Sequence, residues 1–175
     1  YQARVGGYVT DITDAVEIKR FYNDNPAYQS FGNYVMNGVA MRFIGTELAL
    51  EAKLTSSLSV TGVVALGQAF YTSNPSIDIY LDNDTMQVTH TPEVYIKNQY
   101  VAAGPQSAYS LGWNYRSPKY WYANLRFNYF ERNYIDINPD RRTAEVGDRV
   151  GTETPLYHEI FDQQKLPSAF TVDLF

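Results

Sequence analysis

No cysteine occurs anywhere in the chain. This excludes a disulfide framework and any thiolate metal site, and it suits an exported protein that avoids stray pairing. A run of about 18 apolar residues is also missing, so no transmembrane helix is available. The mean hydropathy of -0.36 leaves strand insertion open, because a barrel strand is half polar. Positive charge is scarce: 14 Lys and Arg face 19 Asp and Glu, for a formal net charge of -5. Nucleic acid, which is gripped through its phosphates by a basic stripe, is therefore excluded as a partner. No Gly-x-Ser-x-Gly elbow is present, and the two histidines, His90 and His158, fall in expected loops, so the chain is not expected to be an enzyme. No signal peptide stands at Tyr1.

What the chain has in excess is aromatic: 16 Tyr, 9 Phe and 2 Trp. Tyrosine joins an apolar ring to a wet hydroxyl and so suits boundaries, including those of a membrane. These rings fall in two-faced stretches. From Ser107 to Arg116, Tyr109, Leu111, Trp113 and Tyr115 alternate with Ala108, Ser110, Gly112, Asn114 and Arg116. From Trp121 to Phe130, Trp121, Ala123, Leu125, Phe127 and Tyr129 alternate with Tyr122, Asn124, Arg126, Asn128 and Phe130. Successive strand side chains point to opposite faces, so each stretch has an apolar, aromatic-rich face and a largely polar one. Only Ser117–Tyr120 separates them, enough for a tight hairpin.

Period-2 alternation marks further strands. One runs from Gln2 to Val9 and continues raggedly over Asp11–Arg20, where charges signal departure from the apolar layer. A second covers about Asn33–Leu54, with Thr46, Leu48, Leu50, Ala52 and Leu54 opposing Glu47, Ala49, Glu51 and Lys53. A third covers Leu58 to about Tyr71, a short one Val94–Tyr100, and a last Phe170–Phe175; the aromatic strand after Trp121 extends to about Ile135. Turn formers mark long loops near residues 21–32, 72–105 and 136–166, the last broken by Pro139, Gly147, Gly151 and Pro155 with a helical turn or two at Leu156–Gln164. Thr55–Ser57 and Ser117–Tyr120 are short turns. Such sorting of long and short connections is the pattern of an outer-membrane barrel. About six strands are too few to close one, and the chain starts and stops inside strand-like segments. The expected architecture is therefore all-β: an antiparallel transmembrane β-barrel segment belonging to a larger barrel. A soluble or surface-attached β-sandwich binding module is the alternative.

Several segments carry a family likeness. Asn33–Tyr–Val–Met–Asn–Gly38, Gly45–Thr–Glu–Leu48, Val94–Tyr–Ile–Lys–Asn98 and Ala103–Gly–Pro–Gln–Ser–Ala108 resemble the late barrel strands of TonB-dependent outer-membrane receptors of the Bacteroides type. So do Tyr115–Arg–Ser–Pro–Lys–Tyr–Trp121, Asn128–Tyr–Phe130, Tyr134–Ile–Asp136, Pro139–Asp–Arg–Arg–Thr143 and Lys165–Leu–Pro–Ser–Ala–Phe–Thr–Val–Asp173, in the same order. The resemblance implies a large barrel around an N-terminal plug, importing a nutrient across the bacterial outer membrane. A TonB-type energy-coupling protein acts through the plug in that family, and a surface lipoprotein is a further implied partner. No cofactor is implied, and residues 1–175 lack the plug and the final strands. On this reading Leu48, Leu50, Leu54, Val60, Leu66, Leu111, Trp113, Leu125 and Phe127 face outer-membrane lipid. Glu47, Glu51, Lys53, Asn114, Arg116, Asn124, Arg126, Asn128 and Asp173 face the lumen.

Other side chains invite specific tests. Asp136-x-Asn138-x-Asp140 begins like a calcium loop but has Arg141 and Gly147 where Gly and Glu are needed. Asp78, Asp82 and Asp84 are candidates to gather around calcium, against the blander reading of a solvated acidic loop. Arg141 and Arg142 are candidates to grip an anion, or simply to hold their loop. Arg132 extends the row Asn124, Arg126, Asn128 toward substrate or plug, and the loop tyrosines Tyr71, Tyr80, Tyr95 and Tyr157 are candidates to stack on a ligand.

Overall fold

The computed structural model describes residues 1–23, 30–82, 87–91 and 93–175, with the backbone alone described at 23 and 87–89. Antiparallel strands take 61% of the described residues and helices 11%, so the fold is all-β. In chain order the strands are β1 (Gln2–Asn23), β2 (Ser30–Lys53), β3 (Leu58–Tyr71), β4 (Ser76–Leu81), β5 (Gln87–Thr91), β6 (Ser107–Arg116), β7 (Tyr122–Glu131) and β8 (Ala169–Leu174). They form one eight-stranded sheet of order β5-β4-β2-β3-β6-β7-β8, with β1 on the other edge of β2. The sheet is open and not closed into a barrel.

β2 is the spine. β1 pairs with it along its whole length, from Gln2↔Glu51 to Asn23↔Ser30. Its opposite edge is shared, with β3 taking Met41–Lys53 and β4 taking Gly32–Asn37. A bulge in the β1–β2 ladder between Ile12 and Ala15, with Asp14 at φ 55 and Gly38 at φ 75, lets the two long strands bend where β3 gives way to β4. The strand continues through the charges after Asp11 to Asn23 and β2 begins at Ser30, so both strands run into the stretch expected as a loop at 21–32.

The two short turns lie at one end of the sheet. At the first, the Leu54 amide donates to Leu58 O at 2.9 Å, and Thr55 Oγ1 accepts from the Ser57 and Leu58 amides at 3.2 and 3.0 Å. At the second, the Ser117 amide donates to Trp121 O at 2.8 Å and Tyr120 takes φ 65. Tyr1 and Phe175 are at this end too, because Gln2 pairs with Glu51 and the amides and carbonyls of Phe175 and Asn124 bond each other. Every long connection leaves from the other end.

Three expectations are corrected there. Residues 76–91 form β4 and β5, while Val94 makes only an isolated bridge to Thr143. β7 ends at Glu131 and Tyr134 makes one bridge, to Lys165. The 136–166 segment holds a 3₁₀ turn (Pro139–Arg141) and two short helices, α1 (Ala144–Val150) and α2 (Pro155–Phe161). Pro139 and Pro155 start these elements instead of breaking them. A first-turn proline loses no hydrogen bond, and Thr143 and Thr154 cap α1 and α2 by accepting from the amides of Val146 and Tyr157.

The buried core sits at this far end. Tyr34, Met36, Val39, Tyr71, Ile77, Ile79, Val94, Ile96 and Ile137 form it. It arises because residues 93–101 and 134–164 fold back over one face of the sheet. Tyr95 N donates to Arg142 O at 2.8 Å, and Gln163 exchanges two 2.7 Å bonds with the Tyr100 backbone. Lys19, only 7% exposed, is ion-paired with Asp136 of this strap and with Glu17 at 3.1 Å. Tyr71 Oη donates to Glu17 at 3.0 Å, and burial, then the Glu17 carboxylate, raise the Tyr71 pKa. Burial likewise pushes the Tyr34 hydroxyl up to about 12.

Candidate functional site

Directly opposed residues in a ladder share a face, so the register assigns faces across six strands. One row runs Val5–Leu48–Val64–Tyr109–Tyr129–Phe170. The next runs Ala3–Leu50–Gly62–Leu111–Phe127–Val172, and the one beyond joins Ala52, Val60, Trp113, Leu125 and Leu174. The intervening rows belong to the other face: Gln2–Glu51–Thr61–Gly112–Arg126–Asp173 and Arg4–Ala49–Val63–Ser110–Asn128–Thr171. Lys53, Ser59, Asn114 and Asn124 make a further row of that face. The register thus gathers Leu48, Leu50, Val60, Leu66, Leu111, Trp113, Leu125 and Phe127 on one side. It gathers Glu47, Glu51, Lys53, Asn114, Arg116, Asn124, Arg126 and Asn128 on the other.

Charge follows the same division. In the turn-end half of these six strands the charged residues are Arg4, Glu47, Glu51, Lys53, Arg116, Arg126 and Asp173, and all seven lie on the polar face. The apolar face has none. It is also uncovered: Leu50 is 50% exposed, Leu111 42% and Phe170 74%. Trp113 packs edge-on against Phe127 and Tyr115 against Trp121, with ring centroids 5.8 and 5.0 Å apart. The first charges met on this face, moving away from the turns, are the Asp11–Arg42 pair (2.6 Å) and Glu131, which accepts from Tyr109 Oη at 3.1 Å.

The polar face holds a cross-strand network. Ser110 Oγ donates to Asn128 Oδ1 at 2.8 Å, and Asn128 Nδ2 donates to Thr171 Oγ1 and Asp173 Oδ2, both at 3.0 Å. Tyr8 lies flat across β2 and β3. A Cβ on Gly45 would meet its Oη at 2.6 Å and a Cβ on Gly67 at 3.0 Å, so the two glycines are the slot that admits the ring. Sequence reading missed Tyr8 because the pairing of residues 8, 45 and 67 is visible only once the register is known. An open polar groove lined by Glu51, Lys53, Asn114, Arg116, Tyr122 and Asn124 lies on this face beside the turns.

Several of the remaining candidates take structural roles. Asp78 bonds His90 at 2.7 Å and Asn37 at 3.1 Å; Asp82 bonds Asn33 at 2.6 Å and pairs with Arg20. Asp84 lies outside the described residues, among which no cluster of metal-binding side chains occurs. Asp136 is taken by Lys19, and Asn138 accepts from the Asp140 amide to start the 3₁₀ turn. Asp140 is half-buried, and that burial raises its pKa. Arg142 is buried and donates to Phe161 O, so it holds the strap. Arg132 does not extend the polar row, because it takes φ 58 beyond β7 and donates to Gly67 O. Tyr71 is buried and Tyr157 stacks on Phe161 at 4.3 Å, so neither ring is free to hold a ligand. His158 pairs with Asp162 at 3.2 Å.

A scan against protein-family models, a search of curated proteins and a search of solved structures each return no match.

Proposed function

We propose that this chain is part of the barrel wall of a TonB-dependent outer-membrane receptor that binds and imports a nutrient. The apolar face meets outer-membrane lipid. The polar face lines a lumen occupied by the receptor's N-terminal plug, which couples to a TonB-type protein. The work is gated passage without bond chemistry or cofactor, in the bacterial outer membrane. The long-connection end faces outward. One observation carries the reading: in the turn-end half of the six strands, seven charges lie on one face and none on the other, and both faces are open there. A charge in mid-bilayer costs about 2–4 kcal/mol, and a lipid-facing surface selects against it at every position. A soluble sandwich would bury Leu48, Leu50 and Leu111 in one shared core; all three are exposed.

Gene deletion tests the proposal and identifies the cargo class. The encoding strain is grown with siderophore-bound iron, cobalamin, a glycan or a peptide as the limiting nutrient. Deletion is expected to abolish growth on one of these, and loss of the energy-coupling protein to reproduce it. Unchanged growth on all four counts against import.

A further inference from the structure

The strap that covers the core holds a cleft of its own. It is open, about 210 Å³ in volume, and lies between residues 135–142 and residues 159–164. Its two walls are tied together by the backbone and by two side chains. Ile135 N donates to Gln164 O at 2.9 Å, Gln163 Nε2 to Ile135 O at 3.1 Å, and Arg142 Nη1 to Phe161 O.

Charge is divided between the walls. Arg141 and Arg142 stand on the first, Glu159 and Asp162 on the second. A third carboxylate, Asp136, is taken by Lys19, which leaves two cations against two carboxylates. Yet no ion pair joins the walls. Asp162 pairs with His158 at 3.2 Å, and neither Arg141 nor Glu159 has an ion-pair partner among the described residues.

Arg142 is the unusual member. It is only 5% exposed, and that burial lowers its pKa, against the pull of Asp162. A guanidinium carries five N–H donors in a planar fork. Among the described residues the Phe161 carbonyl is the one partner of this side chain, and no carboxylate stands at ion-pair distance. Its other donors are not sealed in, because the one fully buried side-chain donor or acceptor without a partner among the described residues is Arg132 Nε. They are left to the cleft that Arg142 lines. A buried cation without a carboxylate is costly, and the fork of a guanidinium matches a carboxylate in shape and charge.

A simple anion in this cleft would meet Glu159 and Asp162 as well as the arginines, and a simple cation the reverse. A molecule that carries both charges a few bonds apart satisfies both walls. The volume is below the roughly 300–1,000 Å³ of sites for drug-sized ligands, which limits the occupant to one small unit. We infer that the cleft binds a small zwitterion of the α-amino-acid class, its carboxylate on Arg141 and Arg142 and its ammonium toward Glu159 and Asp162. The site is built wholly within the strap, so it does not require the sheet to span a membrane.

Calorimetric titration of the purified intact protein with L-alanine, acetate and ethylamine tests this. Alanine is expected to bind about tenfold or more tightly than either singly charged probe. Glu159→Gln, at an exposed position, is expected to weaken alanine about tenfold while strengthening acetate. Arg141→Gln, also exposed, should weaken alanine and acetate alike. Hydrogen-exchange protection of the Val94 amide, which bonds Pro75 O, reports that the strap is still folded in each variant. Equal affinity for alanine and acetate, no alanine binding by the unaltered protein, or unchanged alanine binding in Glu159→Gln would overturn the inference. None of these results touches the membrane reading.

Discussion

Leu125→Arg is expected to destroy the membrane-inserted fold, whereas Asn124→Arg, one residue away, is expected to leave it intact. Leu125 pairs with Trp113 and Leu174 at the middle of the uncharged band. On the proposed membrane reading, an arginine there would meet hydrocarbon with no acidic partner on its face, at a cost of about 2–4 kcal/mol. Asn124 pairs with Asn114 on the face that already carries Lys53 and Arg126, so its replacement meets water and acceptors. The readout is the urea midpoint of the heat-modifiable, folded form in vesicles. Equal midpoints for the two variants would mean that Leu125 does not contact lipid.

The second large effect belongs to the strap. Met36 is 0% exposed, held among Tyr34, Ile77 and the strap residues Val94 and Ile137. Met36→Ala leaves a cavity where the sheet and the strap meet and is expected to cost about 2–5 kcal/mol. Met36→Leu keeps the volume and is expected to cost less than about 1.5 kcal/mol. Hydrogen exchange localises the loss: the Val94 and Tyr95 amides, bonded to Pro75 O and Arg142 O, should lose protection in Met36→Ala while the β6–β7 ladder keeps it. Uniform loss across the sheet would show that the strap and the sheet open as one unit.

Much of this arrangement was legible before any coordinates. Strand side chains alternate with period 2, so Leu48 against Glu47, or Leu111 against Ser110, are assigned to faces by counting alone, and β3 was delimited at both ends. What escaped is non-local. The alternation of Ile77, Ile79 and Leu81 was present, but Asn74–Pro75 and the acidic residues after Leu81 read more strongly as loop, and only pairing with β2 shows β4 for what it is. Pro155 read as a breaker because its position within a helix depends on the Thr154 cap. Lys19 is one of the charges over Asp11–Arg20 that signal departure from the apolar layer; its burial beside Asp136, 117 residues away, cannot be read from that run.

The most direct measurement is fractionation of the intact protein. It should sediment with the outer-membrane fraction, resist carbonate extraction and become monodisperse only in detergent. A monodisperse monomer in buffer free of detergent would contradict the account at its root, because Leu50, Leu111 and Phe170 would then be facing water.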